Sequence, residues 1–479
     1  MKEKIQKIIE NLAAPDVSFA DVRITFTDYE SIFFMNANLR DYSSSKGSPA
    51  IGIRVLIDGC FGFAGSKDLS DASIQRLIFR ARANAIHGAK FQKEKLTFPE
   101  LPAVSDEYEY KPEIDPFAMP KAEKLDYLQR LATAIKPAGK IVHSYAAGQF
   151  ERQEKYYANS EGSFNHMIVT NTLPMMMVVA SDGKQTQSRT WPGHMSAGRA
   201  GFELFHQQRF EENTERIIQE ATDLLSADVI TEEKADIIIG AGHLALQLHE
   251  SVGHATEADR IFGQEISYAG KTFVKPSMLG KFKYGSDILN IYSDSTDPRG
   301  LGYHLMDDEG VPGRRVDIIK KGILMDQQSS RHIAHKLGLQ PSSNMKASFA
   351  DDFPLVRMTN LCIAPGKGSL EQLIASTQRG YFLDFTKTWS IDDNRNNFQF
   401  TTEIGYKIHD GKITGIVKEP TYFGITPEFW NACDAICGEE EWAYHSTFHC
   451  GKGEPGQVMR LSHGVAPARF RDINVSVKM

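Results

Sequence analysis

Two imidazoles and a carboxylate fall within six residues at His249-Glu250-Ser251-Val252-Gly253-His254. That combination is the working kit of a zinc hydrolase. Two neutral histidines hold a divalent metal, and a glutamate beside them takes a proton from a bound water whose pKa the metal lowers to about 7. The spacing is one residue longer than in an H-E-x-x-H helix, whose histidines stand roughly 40° apart around the axis. Five residues place them about 140° apart on an ideal helix, so an unbroken helix would not chelate. The plain alternative is that both are ordinary helix residues bonded to neighbours. Gly253 offers a way out, because glycine tolerates the departures that end a helix or insert a π-bulge.

A catalytic zinc site usually takes three protein ligands and leaves one position open. Four places in the chain offer a third ligand. Glu257 and Asp259 are close enough to ligate or to fix a histidine tautomer, although solvated helix-end charge is the ordinary reading of such acids. Cys433 and Cys437 stand four apart, on one face if the segment is helical, and the ordinary reading there is two buried thiols. His445, His449 and Cys450 form a rival cluster that lacks an adjacent carboxylate. Cys450 by itself opens a glycine-rich stretch, Cys450-Gly451-Lys452-Gly453, that reads as a flexible loop presenting a thiolate, with Lys452 favouring its ionised form. The best constellation is His249, His254 and Cys450 as ligands with Glu250 as general base and later acid. The other three remain open.

The elements that must position these residues follow from periodicity. Ala235-Asp236-Ile237-Ile238-Ile239 reads as a short strand, Gly240-Ala241-Gly242 as a turn, and Leu244, Leu248, Val252 and Ala255 as the buried stripe of a helix with His249 and Glu250 beside it. Upstream, residues 1–100 form an α+β unit: a helix through Ile5 to Leu12, strands at Val22–Phe26 and Ile51–Ile57, a hairpin signal at Asp58-Gly59, and a helix capped by Ser70. A proline-punctuated connector runs from about Gly88 to Pro120. The unit 101–229 adds a helix with Leu125, Leu128, Leu131 and Ile135, strands near Lys155–Ala158 and Met175–Ala180, and a long helix near Phe202–Leu225. The unit 230–479 is β-rich, with hairpin signals at Lys321-Gly322 and Asp410-Gly411 and helices near Leu370–Thr377 and Pro427–Ala435. The expected class is α+β, with a layered N-terminal half and a β-rich C-terminal domain opened by the metal motif.

Composition narrows the function. At 479 residues, 41% hydrophobic and 24% charged, the chain reads as an ordinary globular protein. A net charge of −7 without a Lys/Arg block argues against nucleic acid as partner. No apolar stretch approaches the roughly 20 residues that span a bilayer, and the start of the chain lacks a signal peptide's apolar core, so a cytoplasmic protein with no membrane partner is expected. Five cysteines argue for free thiols.

The motif His249 to His254 followed by Glu257-Ala258-Asp259, together with the distant Cys450-Gly451-Lys452, resembles the TldD branch of the TldD/PmbA family. Gly52-Ile53-Arg54-Val55, Asn159-Ser160-Glu161-Gly162, Asp307-Asp308-Glu309-Gly310 and Glu403-Ile404-Gly405-Tyr406 extend the resemblance along nearly the whole chain. It implies a zinc-dependent peptidase with His249, His254 and Cys450 on the metal and Glu250 catalytic. The implied substrates are unfolded or flexible peptides, and the implied assembly is a homodimer or a heterodimer with a PmbA/TldE-like paralogue. The PmbA branch lacks the zinc motif, which this chain keeps. The chain departs from the family's glycine-rich C terminus at Val458-Met459-Arg460-Leu461-Ser462-His463-Gly464. The competing class is a metal-stabilised scaffold or regulator that binds a protein partner.

Overall fold

Apolar alternation through Val22, Ile24 and Phe26 continues well beyond the stretch where it is cleanest, and the result is a sheet of unusually long strands. In the computed structural model, which describes residues 1–264 and 270–476, helix α1 (Lys2–Leu12) leads into β1 (Val17–Met35), β2 (Asn38–Ile57) and β3 (Cys60–Ser66). Asp58 and Gly59 take φ of 47° and 71°, the double left-handed turn that suits a two-residue hairpin. Helix α2 (Asp71–Ala89) is capped by the Ser70 hydroxyl on the Ser73 N–H. The connector carries β4 (Ser105–Glu109) and ends at α3 (Lys121–Ala134), after which β5 (Ile141–Asn159), β6 (Phe164–Ser181) and β7 (Thr186–Trp191) complete the half. One sheet runs β3-β2-β1-β5-β6-β4, with β7 also on β6. The β1–β5 pairing, from Asp21 opposite Asn159 to Met35 opposite Tyr145, carries this sheet across the expected boundary near residue 100.

The expected long helix near 202–225 is broken. Helix α4 (Glu203–Gln207) stops before Arg209, whose φ is +53°, and α5 (Thr214–Leu224) starts afresh. The interruption lets Phe205 and Phe210 turn into the same aromatic core as Phe150 and Phe202.

The C-terminal part is β-rich, and the fold is α+β. It contains β8 (Lys234–Ile239), α6 (Ala241–Leu248), α7 (Ala258–Ile261), β9 (Ile291–Asp294), β10 (Arg315–Lys320), β11 (Ile323–Leu324), β12 (Met345–Lys346), β13 (Leu355–Val356) and β14 (Leu361–Ile363). These are followed by β15 (Arg379–Ile391), β16 (Asn397–His409), β17 (Lys412–Lys418), β18 (Thr421–Ile425), β19 (Cys433–Ile436), β20 (Ala443–Lys452), β21 (Gln457–Val465) and β22 (Ala468–Ser476). Strands β15-β8-β22-β18-β16 pair in that order, and β16 pairs back with β15, so five strands close on themselves. Helix α6 packs Leu244 and Leu248 into the same apolar core as Ile237, Leu383, Phe400 and Phe470.

The two halves meet across buried charge. Arg54 donates to Asp21 Oδ2 at 2.7 Å and to the Asp308 carbonyl at 2.7 Å, and stands 3.5 Å from Glu309. Lys155 reaches Asp308 at 2.5 Å. Removing Arg54 would leave Asp21 with only the longer 3.6 Å contact to Arg23 and take a cation from Glu309, and breaking a buried pair in this way typically costs about 3–5 kcal/mol. Arg54→Met is therefore expected to lower the thermal midpoint clearly in a melt followed by circular dichroism; a midpoint within a degree of the parent would show that the seam carries no such load.

Candidate metal centre

Strand β8 is flanked by β15 and β22, so its end is fixed on both sides. Gly240 turns the chain into α6 where a Cβ would stand 2.4 Å from the Asp384 carboxyl. One turn later His243 is held by Thr386 at 2.7 Å and by Tyr422 at 3.0 Å. The helix then widens. Residues His249–Gly253 form a π turn, closed by the His254 N–H on the His249 carbonyl. An i to i+5 bond stacks residues five apart, as an α-helix stacks residues four apart. The extra residue between the histidines is absorbed there, and the two rings lie 4.7 Å apart, nearly perpendicular at 82°.

Gly253 has ordinary right-handed backbone angles, φ −55° and ψ −65°. Its need for glycine is one of space: a Cβ would come within 2.1 Å of Met358 Sδ. Carbonyls displaced by the π turn are taken up by side chains. Thr256 donates to the Val252 carbonyl at 2.8 Å and Gln328 to that of Gly253 at 2.9 Å, which leaves little desolvation cost for the distortion.

Cys450 arrives from the far end of the chain on β20, 4% exposed. The expectation of a flexible loop is corrected: the hairpin β20–β21 takes up the glycine-rich stretch, with Cys450 opposite Met459. The ligand atoms of His249, His254 and Cys450 all lie within 4.8 Å of one another. The Cys450 sulfur stands 3.7 Å from His254 Nε2, close to the roughly 3.6 Å that a tetrahedral metal with ~2.3 Å sulfur and ~2.1 Å nitrogen bonds sets between them. Burial pushes this thiol up, but the Arg357 guanidinium and His254 beside it bring it below its ordinary range. Arg357 also donates to the Cys450 carbonyl. Lys452 does not serve the thiol, because buried carboxylates capture it: its ammonium sits 2.9 Å from Asp259 and 3.3 Å from Glu257.

Both imidazoles are oriented from behind. His254 Nδ1 lies 2.9 Å from Glu257 Oε2, a pure acceptor, so Nδ1 carries the proton and Nε2 faces Cys450 with its lone pair. His249 Nδ1 lies 2.8 Å from His463 Nε2. His463 Nδ1 in turn faces the Leu361 carbonyl at 3.1 Å, which only accepts. Burial holds His463 well below its ordinary pKa, so this neutral ring donates from Nδ1, accepts from His249 at Nε2, and leaves His249 Nε2 free. Two free imidazole nitrogens and a thiolate fit a divalent metal.

Glu250 stands alongside, 9% exposed. One oxygen accepts Trp389 Nε1 at 3.1 Å and the other Arg395 Nη1 at 3.3 Å. Burial raises this acid, yet His254, His249 and Arg395 together hold it below the usual carboxylate range.

The remaining candidates separate from this cluster. Glu257 and Asp259, expected as solvated charge, are buried at 0% and 2% because Lys452 and Arg260 pair with them. Cys433 lies on strand β19 and Cys437 just beyond it, so neither is helical, and both are buried thiols. His445 and His449 sit on β20, the latter exposed, and neither belongs to the converging set. Reading residue types missed His463, Trp389, Arg395 and Arg357. A signal existed for His463: Met459, Leu461, His463 and Val465 alternate as one buried strand face.

Three family profiles match the chain: the PmbA/TldA metallopeptidase domain 1 over residues 20–85, its central domain over 114–229 and its C-terminal domain over 232–477. The chain belongs to the PmbA/TldD family. Among PmbA/TldD relatives, a metalloprotease of Methanocaldococcus jannaschii is 27% identical, covering 96% of this chain and 97% of that one. A zinc metalloprotease TldD homolog of Saccharolobus solfataricus is 25% identical over 98% and 99%. A Thermotoga maritima crystal structure, named as a candidate modulator of a DNA gyrase, superposes with a TM-score of 0.78 at 18% identity over 99% and 100%. TldE of Thermococcus kodakarensis does so with 0.71 at 19% identity over 100% of both chains. These structural likenesses establish the shared PmbA/TldD fold.

His463→Phe keeps the ring's bulk and removes the acceptor for His249. Loss of such a partner typically weakens metal binding about 10–100-fold, measurable by competition with a chromogenic chelator; unchanged affinity would rule out this role for His463.

Proposed function

We propose that this chain is a zinc-dependent metallopeptidase that hydrolyses peptide bonds in unfolded or flexible peptides, with Glu250 as general base and acid. One observation carries the reading: two imidazoles, each engaged at Nδ1 by another side chain, converge with Cys450 beside the carboxylate of Glu250. Two nitrogens and a thiolate suit zinc, and the Saccharolobus relative is named a zinc metalloprotease. Zinc held by His249, His254 and Cys450 would supply a Lewis acid for the scissile carbonyl and lower the pKa of a water at its open position.

The rest falls to the chain's own groups. Trp389 and Arg395 hold one oxygen each of Glu250, which fixes the plane of the carboxylate. So oriented, it removes a proton from the attacking water and delivers it to the leaving amine. Burial of all three ligands excludes bulk water. It also favours substrates whose backbone can be drawn into a closed centre, hence flexible chains over folded ones.

Assembly as a homodimer, or as a heterodimer with a PmbA/TldE-like paralogue, belongs to this proposal and is supported by the TldE neighbour. Cytoplasmic residence is supported by five cysteines that all remain free thiols. No helix among the described residues is long and apolar enough to cross a membrane. The rival reading is a metal-stapled scaffold that binds a protein partner, in keeping with the gyrase-modulator naming of the Thermotoga structure.

Glu250→Gln separates the two. It is expected to retain one zinc per chain by atomic emission while cleavage of an unstructured peptide falls by about 10²–10⁴, the usual worth of a general base. Wild-type cleavage by this variant would sink the assignment of Glu250. Cys450→Ser is expected to lose most of its zinc, and full retention would remove Cys450 from the ligand set.

A further inference from the structure

Between the N-terminal sheet and the C-terminal part lies a cavity of about 80 Å³. One wall is made by alternate residues of β5 and β6, including Lys155 and Asn171; the other holds Leu301, Lys346 and Arg460, with Arg199 also lining it. Four cations border this small space. Two are already spoken for: Lys155 lies 2.5 Å from Asp308, and Arg460 lies 2.5 Å from Glu151.

The other two are not. Arg199 is 8% exposed. Its Nε donates to Asn171 Oδ1 at 3.3 Å and its Nη2 to the Leu301 carbonyl at 3.2 Å, and Nη1 has no partner. Burial brings this guanidinium down to about 10, and the groups that oppose the shift are tyrosine hydroxyls rather than carboxylates. Lys346 is half-buried beside it and makes no ion pair or side-chain hydrogen bond among the described residues. Burial, with Lys155, Arg199 and Arg357 nearby, pushes its ammonium down to about 7 against the opposing pull of Asp308, which Lys155 already pairs. His304 on the same wall is held neutral by burial, near 3, and adds no charge.

Of the four basic side chains, Arg199 and Lys346 have no carboxylate in an ion pair with them among the described residues, and an anion placed beside Lys346 would favour its charged form. Interior cations are normally paired. An unused guanidinium donor and an unpaired ammonium at one void form a preorganised receptor for an oxyanion, the ligand to which a guanidinium fork binds best. These 80 Å³ are the space open to the centres of water molecules, each of which needs only about 10–15 Å³ of it, so the void admits one such group.

We propose that this cavity is a binding site for a single carboxylate or phosphate group, held by Arg199 and Lys346. It is separate from the metal centre but close to it along the chain, since Met459, which lines the cavity, is the register partner of Cys450.

Calorimetric titration of the full chain with sodium phosphate, and with a dialanine peptide as free acid and as amide, all against chloride at matched ionic strength, tests the proposal. Saturable binding at one site per chain is expected. Phosphate binding assigns a free oxyanion; binding of the acid peptide but not its amide assigns a peptide terminus. Lys346→Met, at a residue that reaches solvent, and the charge-conserving Arg199→Lys should each weaken binding about 10-fold or more, the loss of one charge-assisted hydrogen bond. No anion-specific binding by the parent, or binding that both variants keep at full strength, overturns the site.

Discussion

The geometry of the candidate metal centre depends on one backbone hydrogen bond, from the His254 N–H to the His249 carbonyl. Five residues of ordinary helix would turn the two rings away from each other. The wider ring closed by this bond brings them to one side. The distortion persists because its surroundings over-determine it. Leu244, Leu248 and Val252 stay in the apolar core, Met358 fills the space above Gly253, and Thr256 and Gln328 occupy carbonyls that a regular helix would have satisfied. A functional geometry is thereby held by packing that has no chemical role.

The same economy orients the ligands. His254 leans on a carboxylate, Glu257, whose interior charge is matched by Lys452 and Arg260. His249 leans instead on a neutral ring whose other nitrogen ends on a main-chain carbonyl. One histidine is backed by full charge and the other by dipoles, so their donor strengths toward a metal differ although the residue type is the same.

The parts of this arrangement that were legible in the sequence are those set by local rules. Asp58-Gly59, Lys321-Gly322 and Asp410-Gly411 all adopt paired left-handed turns, as their residue types demand. The stripe Leu244, Leu248, Val252, Ala255 is buried throughout. What escaped was set by distant partners. Strand β5 runs from Ile141 to Asn159, far beyond its apolar stretch, because it pairs with β1 and β6 along that length and residues such as Glu151 lie buried against charges of the other half. Glu257 read as solvated because its cation, Lys452, comes from nearly two hundred residues away. Cys450 read as a loop residue because glycines mask a hairpin whose register is fixed by its second strand.

The ionic seam between the halves also orders the molecule in time. Chains emerge from the ribosome N-terminus first, and the sheet that carries Arg54 is complete in sequence long before the Asp308 carbonyl it grips, 254 residues further on. Within the N-terminal half, Asp21 is the acid that pairs with Arg23 and Arg54 among the described residues. The seam is thus a joint that closes only once residues of both sides have been made, which ties the docking of the N-terminal half to the synthesis of the domain that carries the candidate metal centre.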